Sequence, residues 1–175
     1  FDKNIHLTPS WSPDGKFITY TSYKDGNPNV FIYDTRTRRS RPLVTRKGVN
    51  SGSTWSHNGS FIAFTGARDG DMDLFFVGSS GLRERTFIMG DGLDVDPAFS
   101  PDGKHLAFVS GRYGNPHIFI SKLNWTSDGN LQVHEDKRLT YAGWYNTGPD
   151  WSPAADKIIF AGYDKEIDRY DLFIM

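Results

Sequence analysis

One phrase recurs four times along this chain, as WSPDGKFITYTS, WSHNGSFIAFTG, FSPDGKHLAFVS and WSPAADKIIFAG. The copies begin at Trp11, Trp55, Phe99 and Trp151, so their starts lie 44, 44 and 52 residues apart. A period in the low forties is the length of one four-stranded propeller blade. A unit that short cannot bury its own faces, so each copy must pack on the next. The 175 residues therefore read as all-β, one β-propeller domain or fragment over 1–175, with repeats starting near 8, 52, 96 and 148.

Each repeat asks for short strands joined by tight turns. In Ser12-Pro13-Asp14-Gly15 the proline presets the backbone at the second turn position, aspartate suits the third and glycine the fourth. A second strand follows at Phe17 to Ser22, Phe61 to Gly66, His105 to Ser110 and Lys157 to Gly162, rich in aromatic and branched residues. Polar loops then lead to a third strand at Val30 to Tyr33, Leu74 to Val77, Ile118 to Ser121 and Leu172 to Met175. Its apolar residues fall on both faces, as in a sheet covered on both sides. A fourth, more polar strand is expected at Arg41 to Thr45, Arg85 to Met89 and Lys137 to Tyr141, where basic residues protect an outer edge. The last repeat shows no fourth strand of this kind. Its third strand is then an open edge through which self-association is expected.

Composition narrows function mainly by exclusion. The aromatic content of 15% supplies rings for packing between blades. A net charge of −1 lacks the basic excess of a nucleic-acid binder. No segment approaches the roughly 18 consecutive apolar residues of a membrane-spanning helix. With no cysteine, disulfides and thiolate metal sites are ruled out. The first residue is Phe1, and with the strand count this suggests a piece of a larger propeller rather than a closed four-bladed ring.

The SPDG turn, the KFITYTS-type strand after it, the DGNP-type loop and the second aromatic strand together resemble the β-propeller repeat of the TolB family, over nearly the whole chain. The GH and WD signatures of WD repeats are missing. The resemblance implies a six-bladed propeller in the periplasm of a Gram-negative bacterium, beside a smaller α/β domain that this chain does not contain. It implies binding rather than catalysis. Its partners would be the peptidoglycan-associated lipoprotein Pal and other Tol proteins. In that family Pal meets loops leading into the innermost strands at the propeller mouth. These match Val49, Asn50, Ser51 and Gly52, then Leu93, Asp94, Val95 and Asp96, and then Tyr145, Asn146 and Thr147. Family members can carry a histidine where this chain has Val49. On physical grounds alone, GVNSG, GLDVDP and WYNTGP are also where loops of successive blades would converge. The competing reading is that their glycines and prolines merely turn the chain.

Other constellations are thinner. Asp69, Asp71 and Asp73 alternate like the start of a calcium loop, but the sixth position lacks glycine and the twelfth is Ser80 rather than glutamate. Asp94, Asp96 and Asp150 recur at positions that would line an axial channel, where calcium is the one cofactor to consider. No GxSxG elbow occurs, and the five histidines show neither HExxH nor paired ligand spacing, so each is expected on a surface or turn. Arg36, Arg38, Arg39 and Arg41 read as a charge-protected edge, or else as a contact for an anionic polymer or acidic partner. NWTSDGNLQVHED reads as an extended outer hairpin. The alternative function is a substrate-gating propeller of a prolyl-oligopeptidase-like or dipeptidyl-peptidase-like serine hydrolase, which fold alone does not separate from the first.

Overall fold

A computed structural model describes residues 3–175 apart from 69, 83, 89–91, 127–129 and 167. It consists of strands: β1 (His6–Trp11), β2 (Phe17–Ser22), β3 (Asn29–Asp34), β4 (Arg39–Val44), β5 (Asn50–Trp55), β6 (Phe61–Arg68), β7 (Asp71–Gly78) and β8 (Arg85–Ile88). There follow β9 (Asp94–Phe99), β10 (His105–Ser110), β11 (His117–Trp125), β12 (Leu131–Arg138), β13 (Tyr145–Trp151), β14 (Ile158–Asp164) and β15 (Arg169–Ile174). They form four antiparallel meanders in chain order, β1 to β4, β5 to β8, β9 to β12 and the three-stranded β13 to β15. This is the blade architecture that the repeat predicts. No helix among the described residues is long and apolar enough to cross a membrane.

The chain forms two compact units, Phe1–Met89 and Gly90–Met175. In the first, Val30, Ile32, Leu43 and Val44 of one sheet pack on Trp55, Ile62, Phe64, Phe75 and Val77 of the next. In the second, Ala98, Ala107, Val109 and Ile118 meet Ile158 and Phe160, with Leu139 and Trp151 at the margins. This apolar seam is why neither sheet stands alone.

The recurring turn is held by its serine. Ser12 donates its hydroxyl to Asp14 Oδ1 at 2.7 Å and accepts the Phe17 amide at 2.9 Å, while the Gly15 amide closes on the Ser12 carbonyl at 2.9 Å. The Ser12 hydroxyl and the Lys16 amide hold the Asp14 carboxyl down at about 2. Ser56 with Asn58 and Ser100 with Asp102 repeat the device. Gly15, Gly59 and Gly103 sit there at φ of 70°, 68° and 71°, but the fourth copy places Ala155 at 58°. A left-handed alanine is strained by roughly 1–2 kcal/mol. Ala155→Gly is therefore expected to raise stability by about 0.5–1 kcal/mol in a urea melt, after the entropy glycine adds to the unfolded chain.

The expected second strands Phe17 to Ser22 and His105 to Ser110 coincide with β2 and β10, and the long third repeat is an extended hairpin of β11 and β12. The segments read as loops leading inward are themselves strands. Asn50, Asp94 and Tyr145 begin β5, β9 and β13, because their backbones pair at once with β6, β10 and β14.

Candidate docking site

Each first strand carries a bulge at the same place. The ladder slips between Leu7 and Ser10, between Ser51 and Thr54, opposite Ala107 to Val109, and between Thr147 and Asp150. The residues turned left-handed there are Thr8, Gly52, Asp96 and Gly148, at φ of 49°, 60°, 52° and 59°. Bulges re-aim side chains. In the second unit the bulge presents Asp96, whose Oδ2 accepts the Thr147 hydroxyl at 2.8 Å and the Gly148 amide at 3.4 Å. Asp96 and Thr147, two of the expected docking residues, are thus joined. In the first unit the Gly52 amide donates to Thr21 Oγ1 at 3.2 Å.

The eleven expected docking residues divide by burial. Val49, Ser51, Gly52, Val95, Asp96 and Thr147 are half-buried, and Leu93 and Tyr145 are exposed. Asn50, Asp94 and Asn146 are 0%, 1% and 3% exposed, and each is tied into the protein. Asn50 donates to the Arg46 carbonyl at 2.7 Å and to Asn29 Oδ1 at 3.1 Å, and accepts from Arg68 Nη2 at 2.8 Å. Arg68 lies over the Phe75 ring and pairs with Glu84 at 3.3 Å. One sheet later the same latch is built from charges. Arg112 reaches Asp94 at 3.3 Å, Asp136 at 2.8 Å and the Ser110 hydroxyl at 2.8 Å, its guanidinium over Phe119. Burial pushes the Asp94 carboxyl up from its ordinary value, against the pull of Ser110 and Arg112.

Asn146 is held by the Ala142 carbonyl at 3.1 Å and lies 3.2 Å from His117 Nδ1. His117 corrects the expectation that every histidine lies on a surface or turn: it is buried. Arg138 Nη2 stands 2.7 Å from His117 Nε2. A guanidinium only donates, so Nε2 is the acceptor and the ring proton sits on Nδ1, facing Thr140 Oγ1 at 3.2 Å. Burial, then the Arg138 charge, lower its pKa below 6.5. The unfolded chain therefore binds the proton more readily, and stability is lost as pH falls below 6.5 toward the folded value. Thermal melts at pH 7 and pH 5 are expected to show a drop on acidification that His117→Gln makes smaller.

Around this framework the second unit exposes Trp144 of the WYNTGP segment and two rings outside it, Tyr141 and Tyr170, beside Tyr145. Tyr145 meets Tyr170 edge-on at 6.3 Å, Lys165 covers Trp144 at 4.7 Å, and Arg138 covers Tyr141 at 4.9 Å. The adjacent pair Trp144-Tyr145 was the available signal.

Of the candidate calcium ligands, Asp69 lies outside the described residues. Asp94 faces Arg112, Asp96 holds Thr147, and Asp150 is exposed and accepts the Trp151 amide. Among the described residues no three His, Cys, Asp or Glu side chains gather to hold a metal ion. The basic run Arg36, Arg38, Arg39 and Arg41 is exposed at the β3–β4 turn and along β4.

The sequence model of the family described as TolB beta propeller domain matches residues 2–173. The Tol-Pal system protein TolB of Chromobacterium violaceum is 42% identical over 45 residues, 26% of this chain and 10% of that protein. The crystal structure of TolB from Acinetobacter baumannii superposes with a TM-score of 0.84 at 26% identity, over 98% of this chain and 41% of that one. The β-propeller domain of the Trilobed protease from Pyrococcus furiosus, at 15% identity and a TM-score of 0.65 over 98% of this chain and 54% of that one, shares the fold alone. The chain thus spans less than half the length of these two TolB proteins.

Proposed function

Because the chain belongs to the TolB β-propeller domain family, we propose that it is a noncatalytic, periplasmic protein-binding propeller of the Tol–Pal envelope system that docks the lipoprotein Pal through the starts of its first strands. The observation that carries this reading is the family match across the whole repeat array, residues 2–173. The chemistry of the site supports it. Rigid sheets present loop and bulge residues, and the exposed Trp144 and Tyr145, which precede Thr147 in the chain, are of the residue types that anchor protein interfaces. In the second unit the buried Asp94 and Asn146 position that rim without touching the partner, and Asn50 does the same for the strand start of the first unit.

The test is calorimetric titration of purified Pal into the chain. Tyr145→Ala and Leu93→Asp are expected to weaken binding by about 30-fold or more, the scale of an interface anchor. Arg39→Ala, on an outer strand, is expected to leave it unchanged. Unaltered binding in both rim variants, or no binding by the parent chain, contradicts the reading.

A further inference from the structure

We propose that His117 is a proton-operated switch on the docking rim: neutral, it fixes Arg138 and through it the segment from Thr140 to Asn146 that carries Tyr145; protonated, it releases that segment and weakens docking of Pal. This regulation rests on the docking reading above.

The two units build the same hinge with one difference. The phrases GNPN, residues 26–29, and GNPH, residues 114–117, lead into β3 and β11. The Pro28 carbonyl accepts the Asn50 amide at 2.9 Å, and the Pro116 carbonyl accepts the Asn146 amide at 3.0 Å. The side chains repeat as well. Asn50 donates to the carbonyl four residues before it, that of Arg46, and Asn146 does the same to Ala142. Asn50 then meets Asn29 at 3.1 Å, whereas Asn146 meets His117 at 3.2 Å. A carboxamide does not titrate near neutrality and an imidazole does, so of the two hinges the second carries the proton-sensitive residue.

Arg138 connects the ring to the rim. Its Nη2 donates to His117 Nε2 at 2.7 Å and its Nε to the Thr140 carbonyl at 2.6 Å. Its guanidinium lies over the exposed rings of Tyr113 at 5.6 Å and Tyr141 at 4.9 Å, and the Tyr141 hydroxyl donates back to the Arg138 carbonyl at 3.2 Å. The ring's other neighbours are neutral. From β10 comes Ser110, opposite His117 in the ladder, while Arg112 beyond it is taken up by Asp94 and Asp136. Thr140 Oγ1 follows from the end of β12, and Asn146 from β13. Among the described residues the one charge that acts on the ring is that of Arg138.

Adding a proton reverses the Nε2 contact. The lone pair that accepts from Arg138 becomes a second N–H, so two donors and two positive charges face each other across 2.7 Å and the guanidinium must leave. Its bond to the Thr140 carbonyl and its cover on Tyr141 go with it, and the chain leading to Tyr145 loses its anchor. Burial and the Arg138 charge place this event below pH 6.5. Docking selects the neutral ring, so affinity falls as pH drops through that range.

Two readouts test the switch. In heteronuclear NMR of the free chain, the amides of residues 140–146 are expected to shift together with the His117 ring at one midpoint below pH 6.5, and to stay still in His117→Asn, the side chain that Asn29 supplies in the first unit. In calorimetric titration with purified Pal, the Kd of the parent is expected to rise about tenfold from pH 7 to pH 5. His117→Asn is expected to lose most of that rise, with His117→Gln as the second variant should the first fail to fold. Amides at 140–146 that ignore the titration of His117 overturn the proposal, as does a folded variant that keeps the parent's full pH dependence of binding. A parent that binds no Pal at pH 7 contradicts the docking reading instead, and the spectra alone then decide whether His117 controls the segment.

Discussion

Replacing Arg112 by alanine is expected to cost the fold about 3 kcal/mol, the low end of what breaking a buried ion pair costs because Arg112 itself is partly exposed. The loss comes less from missing attraction than from what is left behind. Asp94 is 1% exposed, and its first oxygen loses the guanidinium 3.3 Å away. A buried carboxylate without its cation is then held above its ordinary pKa more strongly than it already is. The folded state of the variant binds a proton that the unfolded state at the same pH does not, so its stability should recover as pH is lowered from neutrality. The sister sheet supplies the compensating change. There the equivalent residue is the neutral Asn50, which accepts from Arg68 at 2.8 Å. Asp94→Asn alone should therefore shift stability by no more than about 1 kcal/mol, and added to Arg112→Ala it should recover about half the loss. Urea melts of the three variants at two pH values decide this. An Arg112→Ala protein as stable as its parent would mean that the latch is ornamental.

Phe64→Ala is expected to destabilise by about 3–5 kcal/mol, the range for emptying a large buried aromatic site. Phe64 is fully buried, stacks on Phe75 at 5.7 Å and lies in the seam joining the first two sheets. Its loss removes contacts from two blades at once. Tyr145→Ala, 44% exposed, should change stability by about 0.5 kcal/mol or less. The pair separates folding from docking. A Phe64→Ala protein that melts like the parent would show that the seam is not what holds the first unit together.

The strands were legible because their signals are local. The SPDG turn fixes where β2 and β10 begin, and aromatic and branched residues carry them to Ser22 and Ser110. The latch was not legible, because Arg68 and Glu84, or Arg112 and Asp136, meet through pairing across hairpins whose register only the folded sheet shows. The basic residue in each polar loop was visible, but its carboxylate lay too far along the chain to be assigned. The bulge was half legible: Gly52 and Gly148 mark it, whereas Thr8 and Asp96 adopt the same conformation without a glycine to announce it. For the same reason Asn50, Asp94 and Asn146 read as surface polar residues, although their side chains serve the interior. His117 was misplaced because nothing next to it in sequence signals Arg138 or Thr140.

Recognition at the starts of the first strands can be read out by amide hydrogen exchange of the chain with and without saturating Pal. Slower exchange in the complex is predicted at residues 92–96 and 144–147, with 49–52 following and the outer strands β4 and β12 unchanged. Protection confined to those outer strands, or no protection at all, would contradict it.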